Sequence, residues 1–296
     1  MFTTTTPLFS GCAAALVTPF DEDSSLDEAA LSRLIERQSG MDALVVLGTT
    51  GEPCSLSMAE RERIISIAVE KAQMPVIVGT GSNDTRKAIE FAKQAKALGA
   101  AAQLSVTPYY NKTSQSGLVR HFSAILDCCD LPMILYNVPA RTGLPMSART
   151  VAELAIHPNV AGIKEASGDL SLTAEILVGT NAALPIYCGN DDLILPMMAM
   201  GASGAISVVA NIVPMQTRSI IKACQSGCLV QAQAAQNALA PLIKALFSQV
   251  NPIPVKAALS MMGLIHENLR LPLIPLEHPY RAQLMKALKS CALMQE

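Results

Sequence analysis

The chain has no tryptophan, and aromatic residues make up only 4% of its 296 residues. Its charge is nearly balanced, because 22 lysines and arginines are matched by 24 aspartates and glutamates, which gives a formal net charge of −2. Proteins that bind nucleic acid or an anionic membrane surface usually carry basic patches. No basic segment interleaved with aromatic residues is present, so the composition argues against both classes of partner.

Motifs that hold metals or nucleotides are also missing. The sequence has neither an HExxH pair nor a GxxxxGK[ST] loop, and its four histidines are dispersed. Cys224 and Cys228 have the helical i, i+4 spacing, but two thiols alone make a poor zinc site. The glycine pair in residues 79–83 (GTGSN) is weak evidence for a phosphate site. We therefore expect neither a metal nor an organic cofactor.

Two features predict a cytoplasmic location. The segment MFTTTTPLFSG (1–11) lacks the positively charged region and the long apolar stretch of a signal peptide. Eight cysteines are scattered along the chain, and we expect them to be reduced thiols.

One segment resembles a membrane span in its hydropathy. Residues 193–217 carry no formal charge and are long enough to cross a bilayer. Prolines, glycines and an asparagine interrupt the segment, however. We expect a buried helix over 193–200, a turn, and a buried strand over 205–209 instead.

Short apolar runs recur about 20 to 32 residues apart, with helical patterns between them. The runs cover residues 12–18, 43–48, 75–80, 101–107, 132–137, 160–164, 184–188 and 204–208. Continuous rather than alternating apolar residues are typical of parallel strands that are covered on both faces. The sequence therefore predicts an α/β protein with eight βα units.

Eight such units within about 220 residues indicate a (β/α)8 TIM barrel, with a doubly wound sheet as the alternative. The helix after the second run begins with a capping box, formed by Ser57 and Glu60. Beyond residue 215 only helical patterns remain. We expect a catalytic barrel over residues 1–224 and a C-terminal helical domain over residues 225–296.

Polar residues follow the ends of several runs, where a (β/α)8 enzyme has its reactive groups. They include two threonines, three tyrosines, an arginine and a lysine: Thr49, Thr50, Tyr109, Tyr110, Tyr136, Arg141 and Lys164. Lysine is rarely buried unless a partner or a reaction requires it. Lys164, at the end of an apolar run, is therefore either an ion-paired residue or a nucleophile.

This set of side chains suits Schiff-base chemistry, in which a neutral amine attacks a ketone and the iminium then accepts electrons. At pH 7 an ordinary lysine, with a pKa near 10.4, is neutral in only about one molecule in 2,500. Burial in a barrel interior is expected to lower that pKa. Tyr136 and Thr50 would relay protons, and Arg141 would bind a carboxylate. A simple turn at 49–51 and a loop salt bridge for Arg141 remain alternatives.

Motifs along nearly the whole chain resemble one family. They are ALVTPF (15–20), LGTTGE (47–52), TPYYN (107–111), ILYNVPARTG (134–143), GIKEASG (162–168), GAISV (204–208), NPIPVK (251–256) and RLPLIP (270–275). Together they resemble the dihydrodipicolinate synthase family of pyruvate-dependent class I aldolases, in the N-acetylneuraminate lyase superfamily. The resemblance implies that pyruvate forms a Schiff base with Lys164 and that its enamine attacks L-aspartate-4-semialdehyde. Cyclisation would give 4-hydroxy-tetrahydrodipicolinate, on the route to diaminopimelate and lysine.

The resemblance also implies roles for individual residues. Tyr136 would be the acid/base residue, and Thr50 would help to bind the pyruvate carboxylate. Thr49 would link Tyr136 to Tyr110 in a proton relay. Tyr110 would reach into the site of a neighbouring subunit, so a dimer would be the minimum active unit of a homotetramer.

Arg141 would bind the carboxylate of the semialdehyde, while Gly189 and Ile206 would line the site through backbone groups. Superfamily relatives use the same lysine and tyrosine on other 2-keto acids, such as N-acetylneuraminate and keto-deoxy sugar acids. The consecutive threonines at 49–50 and the arginine favour the synthase. A keto-acid-binding barrel without activity and a purely structural protein are further alternatives, which the intact catalytic set disfavours.

One region departs from the family pattern. Lysine-inhibited members resemble each other around an allosteric pocket at the dimer interface, and Asn83 and Tyr109 match that pocket. Arg61 occupies a position where those members often have histidine, and Lys87 replaces a glutamate. Because Lys87 would repel the ammonium groups of L-lysine, we expect weak or absent inhibition by it.

Overall fold

The computed structural model describes residues 6–294 and contains a closed barrel of eight parallel strands. The strands are β1 (Gly11–Ala15), β2 (Ala43–Val46), β3 (Val76–Gly79), β4 (Ala102–Val106), β5 (Met133–Asn137), β6 (Val160–Glu165), β7 (Ile186–Cys188) and β8 (Gly204–Ser207). Each strand pairs with the next in the sequence, and β8 pairs with β1 to close the barrel. The predicted (β/α)8 barrel is confirmed. Residues 1–5, which belong to the segment predicted to lack the features of a signal peptide, lie outside the described residues, as do residues 295–296.

Helices surround the barrel and continue beyond it. They are α1 (Glu28–Arg37), α2 (Met58–Lys71), α3 (Thr85–Ala97), α4 (Gln115–Cys128), α5 (Pro139–Thr142), α6 (Ala148–Leu154), α7 (Leu170–Gly179), α8 (Ile194–Ala199), α9 (Pro214–Gln225), α10 (Leu229–Leu246), α11 (Ile253–Met261) and α12 (His278–Ser290). The capping box predicted at α2 is present, because Ser57 and Glu60 each accept a hydrogen bond from the backbone N–H of the other. Within residues 6–294, none of the helices combines the length and apolar character needed to cross a membrane.

Two hydrophobic layers hold the barrel together. The interior contains mainly small and branched side chains, and it is closed at its amino end by Tyr187, whose ring stacks on Phe9 at 4.3 Å. A larger layer between the strands and the surrounding helices forms the main core. Because both faces of every strand are buried, the apolar runs in the sequence are continuous rather than alternating.

Most strands are shorter than the predicted apolar runs, and after β1 and β8 a side chain takes the place of the neighbouring strand. β1 ends at Ala15 because the backbone N–H of Val17 donates to the side chain of Asn211 at 3.2 Å. β8 ends at Ser207 because the N–H groups of Val208 and Val209 donate to the carboxylate of Asp191.

The C-terminal helices pack on one side of the barrel. Helix α10 lies against α8, α9 and α12, and α9 contacts β1. Because α9 ends at Gln225, the expected boundary at residue 224 falls at the last turn of that helix. The division into two domains stays a prediction.

Candidate active site

Lys164 lies next to Tyr136 at the carboxyl end of the barrel. The two residues are directly opposite each other in the register of β5 and β6. Both are 6% exposed, and the Nζ atom of Lys164 lies 4.5 Å from the centre of the Tyr136 ring. Among the ion pairs of residues 6–294, none includes Lys164. The structure therefore brings together the predicted nucleophile and the predicted acid/base residue.

Gly189 makes room for the lysine. A Cβ atom at this position would lie 3.0 Å from Cε of Lys164 and 2.6 Å from Cβ of Ala166. Any larger residue would displace the alkyl chain of the lysine. The predicted lining role of Gly189 thus has a steric basis, and Ile206, which is fully buried in the barrel interior, lies on the neighbouring β8.

Two buried carboxylates, for which the sequence predicted no role, belong to residues next to Lys164 in the chain or in space. Asp191, 2% exposed, accepts hydrogen bonds from the N–H groups at the end of β8. Burial raises its pKa, an effect that these hydrogen bonds and the charge of Lys164 oppose. Glu165 accepts from the side chain of Asn137 at 2.8 Å and from the N–H of Ser167 at 2.6 Å, and burial raises its pKa as well. These bonds fix the ends of β5, β6 and β8 around Lys164.

The two threonines lie in a short 3-10 turn, Thr49–Gly51, directly after β2. Thr50 is 3% exposed, and its hydroxyl accepts a hydrogen bond from the side chain of Asn251 at 3.0 Å. Thr49 is half-buried and lines a cavity of about 560 Å³ that opens at the carboxyl end of the barrel. Tyr136 and Arg141 line the same cavity.

Arg141, in helix α5, is held by the C-terminal segment. Its Nη2 atom donates to the carbonyl oxygen of Asn251 at 2.9 Å. Asn251 therefore contacts both Thr50 and Arg141, through its side chain and its backbone respectively. The same segment supplies Lys256, which forms a fully buried ion pair with Glu52 at 2.7 Å. Both residues belong to the motif NPIPVK (251–256), but the sequence predicted a role for neither.

Tyr110 stands apart from the other predicted catalytic residues. Its side chain is 91% exposed, and no hydrogen bond joins it to Thr49 or Tyr136 within the described part of one chain. Its backbone adopts a positive φ of 68°, which is uncommon for a tyrosine and turns the loop after β4 outward. The proton relay through Tyr110 stays a prediction that involves a second copy of the chain.

The residues of the expected allosteric pocket lie along the same 560 Å³ cavity. Arg61, Asn83, Lys87 and Tyr109 all line it, on the side of α2 and α3. Burial raises the pKa of Tyr109, and the neighbouring Cys54 adds to this rise. The structure thus groups these four residues next to the candidate active site.

The cysteine nearest to Lys164 is not suited to be a nucleophile. Burial raises the pKa of the Cys188 thiol, near Lys164, to about 12, which makes it a poor nucleophile at neutral pH. All eight cysteines are free. Between residues 6 and 294 no cluster of three or more histidine, cysteine or acidic side chains is placed to hold a metal ion.

Comparison with known proteins agrees with this arrangement. A family model, the Dihydrodipicolinate synthetase family, matches residues 8–291. The chain belongs to this family. A curated relative from Exiguobacterium sibiricum, named 4-hydroxy-tetrahydrodipicolinate synthase, is 47% identical over 287 residues, which cover 96% of this chain and 98% of the relative.

Solved structures of family members have the same fold. The dihydrodipicolinate synthase from Acinetobacter baumannii, solved in complex with pyruvate, is 43% identical with a TM-score of 0.94, over 96% of this chain and 99% of that one. A monomeric dihydrodipicolinate synthase variant is 41% identical with a TM-score of 0.95, over 97% of this chain and 98% of that one. The family resemblance inferred from the sequence motifs is confirmed.

Proposed function

We propose that the protein is a lyase of the 4-hydroxy-tetrahydrodipicolinate synthase type. It condenses pyruvate with L-aspartate-4-semialdehyde through a Schiff base on Lys164, as the relatives' name implies. The observation that carries the proposal is Lys164 itself, a buried lysine without an ion-pair partner that lies against the ring of Tyr136. An amine in such a place is better suited to attack a carbonyl than to form a structural ion pair.

The reaction follows from the properties of these side chains. The neutral Nζ of Lys164 attacks the keto carbon of pyruvate, and the hydroxyl of Tyr136 donates the proton that allows water to leave. Loss of a proton from the methyl group converts the iminium into an enamine, which attacks the aldehyde carbon of the second substrate. The amino group of that substrate then displaces Lys164 and closes the ring. The sum is one pyruvate and one semialdehyde converted to product and one water.

The positions of Thr50 and Arg141 support a site for two carboxylates. The side chain of Asn251 donates a hydrogen bond to Thr50 at the carboxyl end of the barrel, where Lys164 also lies. Arg141 lies on the wall of the cavity at this end. We assign the pyruvate carboxylate to Thr50 and the semialdehyde carboxylate to Arg141, whose planar guanidinium suits bidentate binding.

The proposal includes a homotetramer in the cytoplasm, with Tyr110 completing the site of a neighbouring subunit. The exposed side chain of Tyr110, close in sequence to Tyr109 on the cavity wall, supports this arrangement. Eight free thiols support a reducing compartment. The mass of the particle in solution and a Tyr110→Phe variant, mixed with an inactive subunit, test whether sites are shared.

Borohydride trapping tests the chemistry directly. The protein is incubated with pyruvate, reduced, digested and analysed by mass spectrometry. We expect a reduced pyruvate adduct on the peptide that contains Lys164 and on no other peptide. Absence of an adduct in folded protein, or an adduct on a different lysine, would contradict the proposed mechanism.

A further inference from the structure

Asn137 and Glu165 come directly after Tyr136 and Lys164, on the neighbouring strands β5 and β6. They lie opposite each other in the same register as the tyrosine and the lysine. Successive side chains of a strand point to opposite faces of the sheet. Because Tyr136 belongs to the barrel interior, Asn137 and Glu165 point outward, toward the surrounding helices. Neither of them lines the 560 Å³ cavity, so neither is placed to touch a substrate.

The hydrogen bonds of this pair have a fixed direction. Nδ2 of Asn137 donates to Oε2 of Glu165 at 2.8 Å, and Oε1 of Glu165 accepts from the backbone N–H of Ser167 at 2.6 Å. Oδ1 of Asn137 accepts from the backbone N–H of Met146 at 3.0 Å. An ionised carboxylate only accepts hydrogen bonds, whereas an amide both donates and accepts. All three bonds therefore form with one amide and one carboxylate, but not with two amides or two carboxylates.

The backbone of Glu165 also connects β6 to the residue that follows β7. Its carbonyl oxygen accepts from the N–H of Gly189 at 2.8 Å. Gly189 is the residue whose missing side chain leaves room for Cε of Lys164. A displacement of Glu165 would therefore move both the lysine and the glycine against which its alkyl chain lies.

The polar pair is costly for the stability of the fold. Glu165 is 2% exposed and Asn137 is fully buried, and within residues 6–294 Glu165 belongs to none of the ion pairs. Burial raises the pKa of Glu165, and its hydrogen bonds oppose that rise. A buried carboxylate without a counter-ion is expensive, and two apolar side chains of similar size would fill the same space at lower cost. A requirement for a fixed arrangement of the adjacent residues accounts for the pair.

We propose that Asn137 and Glu165 are positioning residues, which hold the hydroxyl of Tyr136 and the Nζ of Lys164 in the arrangement that imine formation requires. This role rests on the proposed Schiff-base reaction. A misplacement of about 1 Å can reduce the rate of an enzyme by about 100-fold. Because the carboxylate of pyruvate is assigned to Thr50, on the loop after β2, the pair is expected to affect kcat more than KM for pyruvate.

Three variants of the full-length protein test the proposal by steady-state kinetics. In Glu165→Gln an NH2 group faces one of the two N–H donors, and in Asn137→Asp two carboxylates face each other. Each single substitution is expected to lower kcat per folded molecule at least about tenfold and to change KM for pyruvate less than about threefold. Circular dichroism and urea unfolding give the folded fraction of each sample.

The double variant Asn137→Asp/Glu165→Gln exchanges the amide and the carboxylate. The new carboxylate accepts from the N–H of Met146 and from the new amide, whose oxygen accepts from the N–H of Ser167. All three hydrogen bonds then form again, one of them with its direction reversed. We expect this variant to fold and to keep at least about a third of the wild-type kcat, because the two substitutions compensate each other.

Thr80→Val is the matched control for the loss of a buried hydrogen bond. The hydroxyl of Thr80 donates to the side chain of Gln103 at 2.9 Å, and this fully buried pair connects the end of β3 to β4. Its removal is expected to lower the free energy of unfolding by about 1 kcal/mol while kcat per folded molecule stays within about twofold of wild type.

A second control concerns the segment around Met146. The side chain of Gln115 donates to the carbonyl oxygen of Pro145 and accepts from the N–H of Ser147. Gln115→Ala loosens this segment without changing a residue of β5 or β6, and kcat should stay within about twofold of wild type. A tenfold loss in this variant would assign the effect to the segment and overturn the proposal.

Three further outcomes would overturn the role of the pair. Both single variants keep at least half of the wild-type kcat, or the double variant is no more active than they are or does not fold, or Thr80→Val lowers kcat as much as Glu165→Gln does. Borohydride trapping with pyruvate is performed on the same samples. A wild-type protein without an adduct on Lys164 would refute the proposed function and this role with it, whereas a wild-type adduct together with fully active single variants would refute this role alone.

Discussion

Two lysines of this chain are almost completely removed from solvent, and their surroundings differ in one decisive respect. Lys256, on α11, is fully buried and forms an ion pair with Glu52 at 2.7 Å, with its Nζ 4.2 Å from the centre of the Phe20 ring. Lys164, at the end of β6, also lies against an aromatic ring but forms no ion pair with any of residues 6–294. Each lysine therefore has an aromatic neighbour, and within this part of the chain only Lys256 has an ion-pair partner.

The difference supports the proposed role of Lys164. An ion pair with a buried carboxylate holds an ammonium group in one place, so it suits a structural role: Lys256 connects α11 to the loop that carries Thr49 and Thr50. A buried amine that lacks this pair is not held by a carboxylate, so its Nζ is available to a carbonyl substrate. Burial alone thus does not distinguish a catalytic lysine from a structural one, whereas the presence of a paired carboxylate does.

The largest expected effect comes from removing the unpaired lysine. Lys164→Met is expected to reduce kcat by at least about 1,000-fold, or about 4 kcal/mol, because no other amine replaces the nucleophile. Its free energy of unfolding should stay within about 1 kcal/mol of wild type, since Lys164 forms no ion pair within residues 6–294 and the nearby carboxylate of Asp191 keeps its two backbone N–H donors. Steady-state assays and urea unfolding measure the two quantities. A variant that keeps a tenth of the wild-type activity would contradict the role of Lys164.

Removing the paired lysine, Lys256, is expected to lower the free energy of unfolding more than it lowers activity. Lys256→Met leaves the carboxylate of Glu52 buried without its counter-ion and should lower the free energy of unfolding by about 3 to 5 kcal/mol. The double variant Glu52→Gln/Lys256→Met should recover most of that loss, because neither charge remains. Lys71→Met, at an exposed pair with Glu70, is the control and should change stability by no more than about 0.5 kcal/mol. Equal destabilisation by the single and double variants would show that the ion pair is not responsible.

His121 is a further buried base. Within residues 6–294 it has no ion-pair partner, and it has no predicted role in the reaction. Burial lowers its pKa to about 4, below its ordinary value of about 6.5. The unfolded chain therefore takes up a proton that the folded chain does not, so His121 stabilises the fold above pH 6.5 and this stability is lost as the pH falls toward 4. Between pH 7 and pH 5 the wild type should lose about 2 kcal/mol more than His121→Gln does. Urea unfolding at both pH values measures this, and parallel losses in the two proteins would exclude the effect.

The smallest expected effect comes from changing Asn251, the residue of the C-terminal segment that contacts both Thr50 and Arg141. Asn251→Ala removes the hydrogen bond to Thr50 but keeps the backbone carbonyl that holds Arg141. We expect KM for pyruvate to rise about fivefold with little change in kcat, equivalent to the loss of one hydrogen bond of about 1 kcal/mol. Gln249→Ala, two residues earlier, is the control and should behave as wild type. A drop in kcat at constant KM would instead place Asn251 in the chemical step.

Much of the site was predictable because it follows the strands. The apolar runs fixed which residues come at the carboxyl ends, and parallel strands in a closed barrel bring those ends together. Lys164, Tyr136 and the threonine pair were found in this way. The family motifs added roles, some of which, such as the relay through Tyr110, stay predictions.

The contributions of the C-terminal segment were not predictable in the same way. Asn251 and Lys256 contact residues about 200 positions earlier in the chain, and no periodic pattern relates them to Thr50 or Glu52. Asp191 was missed for a related reason, since a carboxylate after a strand gives no sign of which N–H groups it will accept from. Its position in the segment GNDDL, directly after the seventh strand, was the available signal.

By itself the sequence determined the architecture of this protein and the place of its candidate nucleophile, Lys164, because strand and helix patterns are local and the barrel places strand ends at one edge. Only the tertiary structure decided which of the two buried lysines among residues 6–294 has a counter-ion. The pairing depends on side chains that come from distant parts of the chain to one point. Pairing of charges is a property of distances in space, and sequence patterns do not record those distances.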